Sequence, residues 1–136
     1  MQLEPYLFFD GTCEAALGFY ATVFGGETTA LMRYEGTPMA EEMPPDARKN
    51  VMHANFKSPT VSFMASDSNV ASECSGSRIA LSLSSSDVAE GQRVFDALAA
   101  GGSVTMPFGK TFWGAIFGML TDRYGIAWMV NCEPAP

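Results

Sequence analysis

Ser77–Met106 reads SRIALSLSSSDVAEGQRVFDALAAGGSVTM. Its first eight residues, Ser77–Ser84, alternate apolar and polar and predict a strand. Ser86 and Asp87 follow, with Glu90 three residues after Asp87, the pattern of a helix start. Val88, Gly91, Val94, Phe95 and Leu98 then recur at three-to-four spacing and mark the buried stripe of a helix. Gly101-Gly102 ends it, because glycine takes the left-handed terminal conformation without a Cβ penalty. Ser103–Met106 is another strand.

The same order stands near the start of the chain. Leu3–Phe9 is a short apolar strand, broken by Asp10-Gly11-Thr12. Ala15, Ala16, Phe19, Tyr20 and Val23 give Thr12–Phe24 a helical stripe, and Gly25-Gly26 stops it. Glu27–Tyr34 is a second strand. Glu35–Asn50, with Pro38, Pro44 and Pro45 and no periodicity, reads as a long exposed acidic loop, either a lid or a partner contact. Val51–Lys57 and Thr60–Ser66 are paired strands around Ser58-Pro59, with Val61, Phe63 and Ala65 on one face. Asp67–Gly76 is a linker. In the second half Pro107–Trp113 reads as a loop. Ala115–Thr121 and Ile126–Asn131 read as a hairpin around Asp122–Gly125. Each half is therefore strand–helix–strand–strand–strand. The fold class is α+β: tandem βαβββ modules at about 1–66 and 77–132, joined by 67–76 in a single domain of 136 residues.

Composition excludes several classes of function. With 47% hydrophobic and 17% charged residues the chain is too apolar for disorder. A net charge of −7 disfavours phosphate backbones and anionic membranes. No apolar run approaches the roughly 20 residues of a membrane span. The start, Met1-Gln2-Leu3-Glu4, lacks the basic region of a signal peptide. Cys13, Cys74 and Cys132 are an odd, widely spaced set, neither a disulfide framework nor a zinc site. A cytoplasmic protein with no nucleic-acid or membrane partner is expected. Gly109-Lys110-Thr111 resembles the tail of a phosphate loop, but position 104, where that loop needs a glycine, is Val104.

Few residues carry acid–base chemistry. His53 is the only histidine. Alternation puts Val51, His53 and Asn55 on one strand face, opposite Met52, Ala54 and Phe56. His53 is either a hydrogen-bonded strand residue or a cavity group. Arg78, alternating with Ala80 and Ser82, is an anion binder or a salt-bridge partner for one of the many acids. Ile79, Leu81 and Leu83 then face the helix. Phe112 and Trp113 line a pocket or cover the core.

The run Tyr6–Gly11, Glu14-Ala15, Phe19-Tyr20 and Val23–Glu27 resembles the PhnB-like branch of the glyoxalase/bleomycin-resistance/dioxygenase (vicinal oxygen chelate) superfamily. Met52-His53-Ala54, Phe63–Asp67, Trp113-Gly114 and Asp122–Trp128 extend the resemblance over nearly the whole chain. It implies a curled mixed sheet around a cavity, a small-molecule ligand, and homodimers. Some relatives carry a demethylubiquinone methyltransferase label. No glycine-rich strand-to-helix turn here supports a methyl donor or its cofactor.

The resemblance also implies four ligand positions for a divalent metal, on the first and last strand of each module. Carried over by strand, they fall at Pro5, Met64, Arg78 and Met129, and a shift of one residue moves the first to Glu4 or Tyr6 and the fourth to Trp128 or Val130. Proline has no donor, arginine repels a cation, and thioethers suit soft Cu(I). The expectation is a cavity lined by His53, Met64, Arg78, Trp113 and Met129, with no metal and no cofactor. Its ligand is an unidentified small molecule. A ligand-sequestering protein of the bleomycin-resistance type stands as one alternative. A metal-dependent lyase or dioxygenase with shifted ligand positions stands as another.

Overall fold

The computed structural model describes residues 1–68 and 79–134. The chain divides into two compact units, Met1–Ser75 and Gly76–Pro136. In the first, β1 (Tyr6–Phe9) leads into α1 (Cys13–Phe24), followed by β2 (Glu27–Arg33), β3 (Val51–Lys57) and β4 (Ser62–Asp67). In the second, β5 (Leu81–Ser85) leads into α2 (Val88–Ala99), followed by β6 (Ser103–Lys110), β7 (Ile116–Thr121) and β8 (Ala127–Cys132). The strands form two open sheets of four, ordered β1-β4-β3-β2 and β5-β8-β7-β6. The second order is the first with each strand advanced by four, so the sequence repeat is a repeat of topology. In each sheet the first and last strands pair in parallel and the other pairs are antiparallel.

One face of each sheet carries the helix. In the first unit Ala16, Leu17, Tyr20 and Val23 of α1 are buried together with Phe9, Phe56 and Phe63. Tyr20 meets Phe63 edge-on at 5.7 Å, and Phe63 stacks on Phe56 at 5.0 Å. Thr12 makes no side-chain cap at the start of α1. Asp67, at the end of β4, supplies the missing acceptor: Cys13 N–H donates to its Oδ1 at 2.9 Å. Val51 N–H donates to the other oxygen at 2.8 Å. Asp67 is 3% exposed and closes β4, where the sequence had suggested the start of a linker. Gly25, at φ 71°, ends α1 as expected.

In the second unit Val94, Phe95 and Leu98 of α2 are buried, as are Leu120, Trp128, Val130 and Cys132 of the sheet. Asp87 caps α2 by accepting from Ala89 N–H and Glu90 N–H. The return half of the expected capping box is rewired. Glu90 accepts from the Ser85 hydroxyl, and Ser85 Oγ accepts from Asp87 N–H. A glycine inside a helix costs about 1 kcal/mol relative to alanine. At Gly91 the reason is packing, since an added Cβ would collide with Cys132 Sγ. Gly118 is similar: a Cβ there would lie 2.6 Å from Phe95 Cε2 and 2.8 Å from the Phe108 backbone.

Other readings change as well. Strand β1 starts at Tyr6, not Leu3, because only Tyr6–Phe9 finds partners on β4. The acidic loop holds two short 3-10 turns, Pro38–Glu42 and Pro45–Ala47. It is closed at its base by Tyr34 N–H to Asn50 O (3.1 Å) and Glu35 N–H to Arg48 O (2.8 Å). Strand β6 runs on through Pro107 to Lys110, where a loop was expected. An outer strand tolerates proline, and register shifts on both sides of Met106 take up the irregularity. Ile79 precedes β5 and is 75% exposed, so it does not face the helix. Arg78 and Cys74 lie outside the described residues, as do positions 69–76 of the expected linker.

Candidate functional site

Each sheet has a second face, away from its helix. Successive strand residues point to opposite sides, so residues registered across strands share a face. In the first unit this face holds Tyr6, registered with Met64, which is registered in turn with Asn55. Asn55 and His53 face Ala30 and Met32 of β2. His53 and Asn55 thus share a face, as the alternation implied. Val51 departs from it and is buried, because the register with β2 shifts between Met32 and Arg33.

His53 is held from both ring nitrogens. Its Nε2 lies 3.0 Å from Asn55 Oδ1, and its Nδ1 lies 3.2 Å from the Tyr6 hydroxyl. A carboxamide oxygen only accepts, so Nε2 carries the proton in the neutral ring. Nδ1 is then the acceptor and Tyr6 the donor. The Tyr6 and His53 rings stand 5.7 Å apart, and Tyr6 contacts Phe8 at 4.9 Å. The result is a Tyr6–His53–Asn55 chain beside the thioether of Met64. The sequence pointed to His53 and Met64. Tyr6 was the one-residue alternative to Pro5, and strand order sets it opposite Met64.

In the second unit the free face carries a row in which Ser82 registers with Met129, Met129 with Met119, and Met119 with Met106. Beside it, Ser84 registers with Asn131 and Asn131 with Phe117. Trp113 packs edge-on to Phe117 at 5.8 Å and to Phe112 at 5.0 Å. Trp113 is 52% exposed and Phe112 98%. Of the expected residues, His53 and Met64 share the free face of the first unit. Met129 lies on the free face of the second, and Trp113 packs at its margin through Phe117.

The register tests the metal positions inferred from the sequence. The residue of β1 opposite Met64 is Tyr6, one beyond Pro5. The residue of β5 opposite Met129 is Ser82, four beyond Arg78. The four positions on the free faces are therefore Tyr6, Met64, Ser82 and Met129. None carries a carboxylate or imidazole, the donors a hard or borderline divalent ion requires. Among the described residues no group of three or more His, Cys, Asp or Glu could hold a metal ion. These residues do not fit the divalent centre that the resemblance implies. A methyl donor of nucleoside type fares no better at the β1–α1 turn. At the start of α1 the Cys13 N–H is already taken by the Asp67 carboxylate.

The two cysteines among the described residues are buried in the core. Burial pushes the Cys13 thiol up to about 12, with the charges of Asp67 and Glu14 adding to it. Cys132 is raised too, by burial first and then by Asp87 and Glu90. Neither is an activated nucleophile. Arg33 donates to Glu14 Oε2 at 2.7 Å in an exposed pair. No helix is long and apolar enough to cross a membrane among the described residues.

Comparison with known proteins agrees with this architecture. The model of the 3-demethylubiquinone-9 3-methyltransferase family matches residues 1–131. The chain is 36% identical to protein YjdN of Escherichia coli, over 96% of this chain and 95% of that one. It is 43% identical to protein PA1353 of Pseudomonas aeruginosa, covering 99% of both chains with a TM-score of 0.84. It is 28% identical to the 3-demethylubiquinone-9 3-methyltransferase-like PhnB protein of Bacillus cereus, over 98% of this chain and 100% of that one, TM-score 0.82. A glyoxalase/bleomycin resistance protein/dioxygenase domain from Frankia sp. shares the fold at 14% identity, over 98% and 97% of the two chains, TM-score 0.67. These names converge on a family and not on one substrate.

Proposed function

The chain belongs to the PhnB-like 3-demethylubiquinone-9 3-methyltransferase family, and on that premise we propose that it binds an organic small molecule against its free sheet faces, without the superfamily's divalent metal. The observation that carries this reading is the register. In each unit it sets a thioether opposite a hydroxyl on the free face, Met64 opposite Tyr6 and Met129 opposite Ser82. Thioethers and aromatic rings make an adaptable apolar wall. Tyr6, His53 and Asn55 add a short polar line that orients one oxygen of the ligand. That composition, mostly apolar with a few placed polar groups, suits a small-molecule site.

A thermal-shift screen over small oxygenated metabolites and aromatic antibiotics tests this. A ligand that binds only the folded chain raises the midpoint by mass action. Tyr6→Phe should then weaken the best hit by about 1 kcal/mol, roughly fivefold in Kd, with the unliganded midpoint little changed. A screen without hits, or a variant that keeps full affinity, overturns the reading.

The same reading includes assembly. The open sheets leave β1, β2, β5 and β6 as outer strands, and unpaired strand edges invite association. A homodimer of two-fold symmetry is the expected form. Light scattering should return about twice the chain mass. A value near 14.6 kDa at high concentration rules the dimer out.

A further inference from the structure

We propose that Met106, Met119 and Met129 form a binding site for a soft monovalent cation, Cu(I) or its analogue Ag(I). The three residues sit on β6, β7 and β8 and are registered one against the next. Met119 is the middle member, opposite Met106 on one side and Met129 on the other. Directly opposed residues on neighbouring strands have Cβ atoms about 4.5–5.5 Å apart. The methionine stem has three rotatable bonds, so three sulfurs spaced this way can turn toward one centre. All three side chains are half-buried, reachable from solvent yet partly shielded from it.

Their direction follows from the packing. Leu120 and Trp128, the neighbours of Met119 and Met129 in sequence, are buried on the α2 side. A Cβ on Gly118 would strike Phe95 of α2. Met119 and Met129 therefore point away from the helix, and Met106 shares their face through its pairing with Met119. The shifts on both sides of Met106 belong to this arrangement. Phe108, two residues on, stacks on Phe95 at 5.4 Å and so lies on the helix side. Regular alternation would have put Met106 there too. The bulged edge strand brings a third thioether into a row that otherwise holds two.

The chemistry selects the ion. Thioethers favour Cu(I) over hard divalent ions. Ser82, at the end of the row, adds a neutral hydroxyl and no positive charge. The chain's net charge of −7 favours a cation in general. The row shares Ser82 and Met129 with the free face proposed above for an organic ligand, and a test that uses the ion alone reads the two proposals apart.

The test is a titration of the full chain with Ag(I), followed through methionine methyl carbons by NMR. The methyl signals of Met106, Met119 and Met129 should move together and saturate near one equivalent. Those of Met32 and Met64 on the other unit should stay in place. Met119→Leu, which keeps the apolar volume, should abolish the joint shift with the circular dichroism spectrum unchanged. Zn(II) should move none of the three. The proposal is overturned by unmoved methyl signals with Ag(I), including silver taken up at cysteine alone. A joint shift that survives in Met119→Leu, or an equal response to Zn(II), also overturns it.

Discussion

Asp67→Ala should cost about 3 kcal/mol of stability, lowering the melting point by roughly 10 °C. The carboxylate is 3% exposed and accepts Cys13 N–H at 2.9 Å and Val51 N–H at 2.8 Å. Alanine leaves both amides without that acceptor, and an unmet buried donor costs about 1–3 kcal/mol. The residue ties the ends of three elements together, the start of α1, the start of β3 and the end of β4. Hydrogen exchange localises the effect: the Cys13 and Val51 amides should exchange much faster in the variant. Asp67→Asn should fall between, since its carbonyl satisfies one amide while its NH₂ group faces the other. If Asp67→Ala melted within a degree or so of the parent chain, this account of the first unit would be wrong.

A second buried carboxylate does the corresponding work in the other unit. Asp122 Oδ1 accepts from Tyr124 N–H (2.9 Å) and Ile126 N–H (3.1 Å), and Oδ2 accepts from the Trp128 indole N–H (2.8 Å). Asp122 is 3% exposed and Trp128 fully buried. Asp122→Ala should destabilise by about 3–4 kcal/mol, as the turn between β7 and β8 and the indole lose one acceptor together. Trp128→Phe removes one of the three bonds and part of the ring. It should cost less, about 2 kcal/mol. Denaturant unfolding with hydrogen exchange in β7 and β8 measures both. Equal losses in the two variants would show that the turn amides do not depend on Asp122.

These two aspartates show where local reading stopped. Asp122 stood in an evident turn, Asp122-Arg123-Tyr124-Gly125, and its placement followed from spacing. Asp67 stood beside a polar stretch and read as linker. Its partners, Cys13 and Val51, are 54 and 16 residues away in sequence. No periodicity reports an acceptor that reaches across a sheet to a helix start. Pro107 misled in the opposite direction. A proline reads as a break, and only the outer place of β6 makes it acceptable within a strand.

Local sequence signals sufficed for the repeated βαβββ order, both helices, the glycine stop of α1, the hairpin, and His53 and Asn55 as residues sharing a face; α2 instead ends at Ala99 with Ala100 in an extended conformation, one residue before the glycine pair. All of these are local, since periodicity, capping and turn chemistry act within one or two turns of chain. Which residues of different strands stand side by side came from the assembled sheets. They replaced Pro5 with Tyr6 opposite Met64, set Ser82 opposite Met129, and joined Met106 to Met119 and Met129 in one row. Strand order and register arise from burying one face of each sheet beneath its helix, a condition on the whole unit. A one-residue change of register exchanges every side chain between core and free face, so the composition of those faces is a property of the fold.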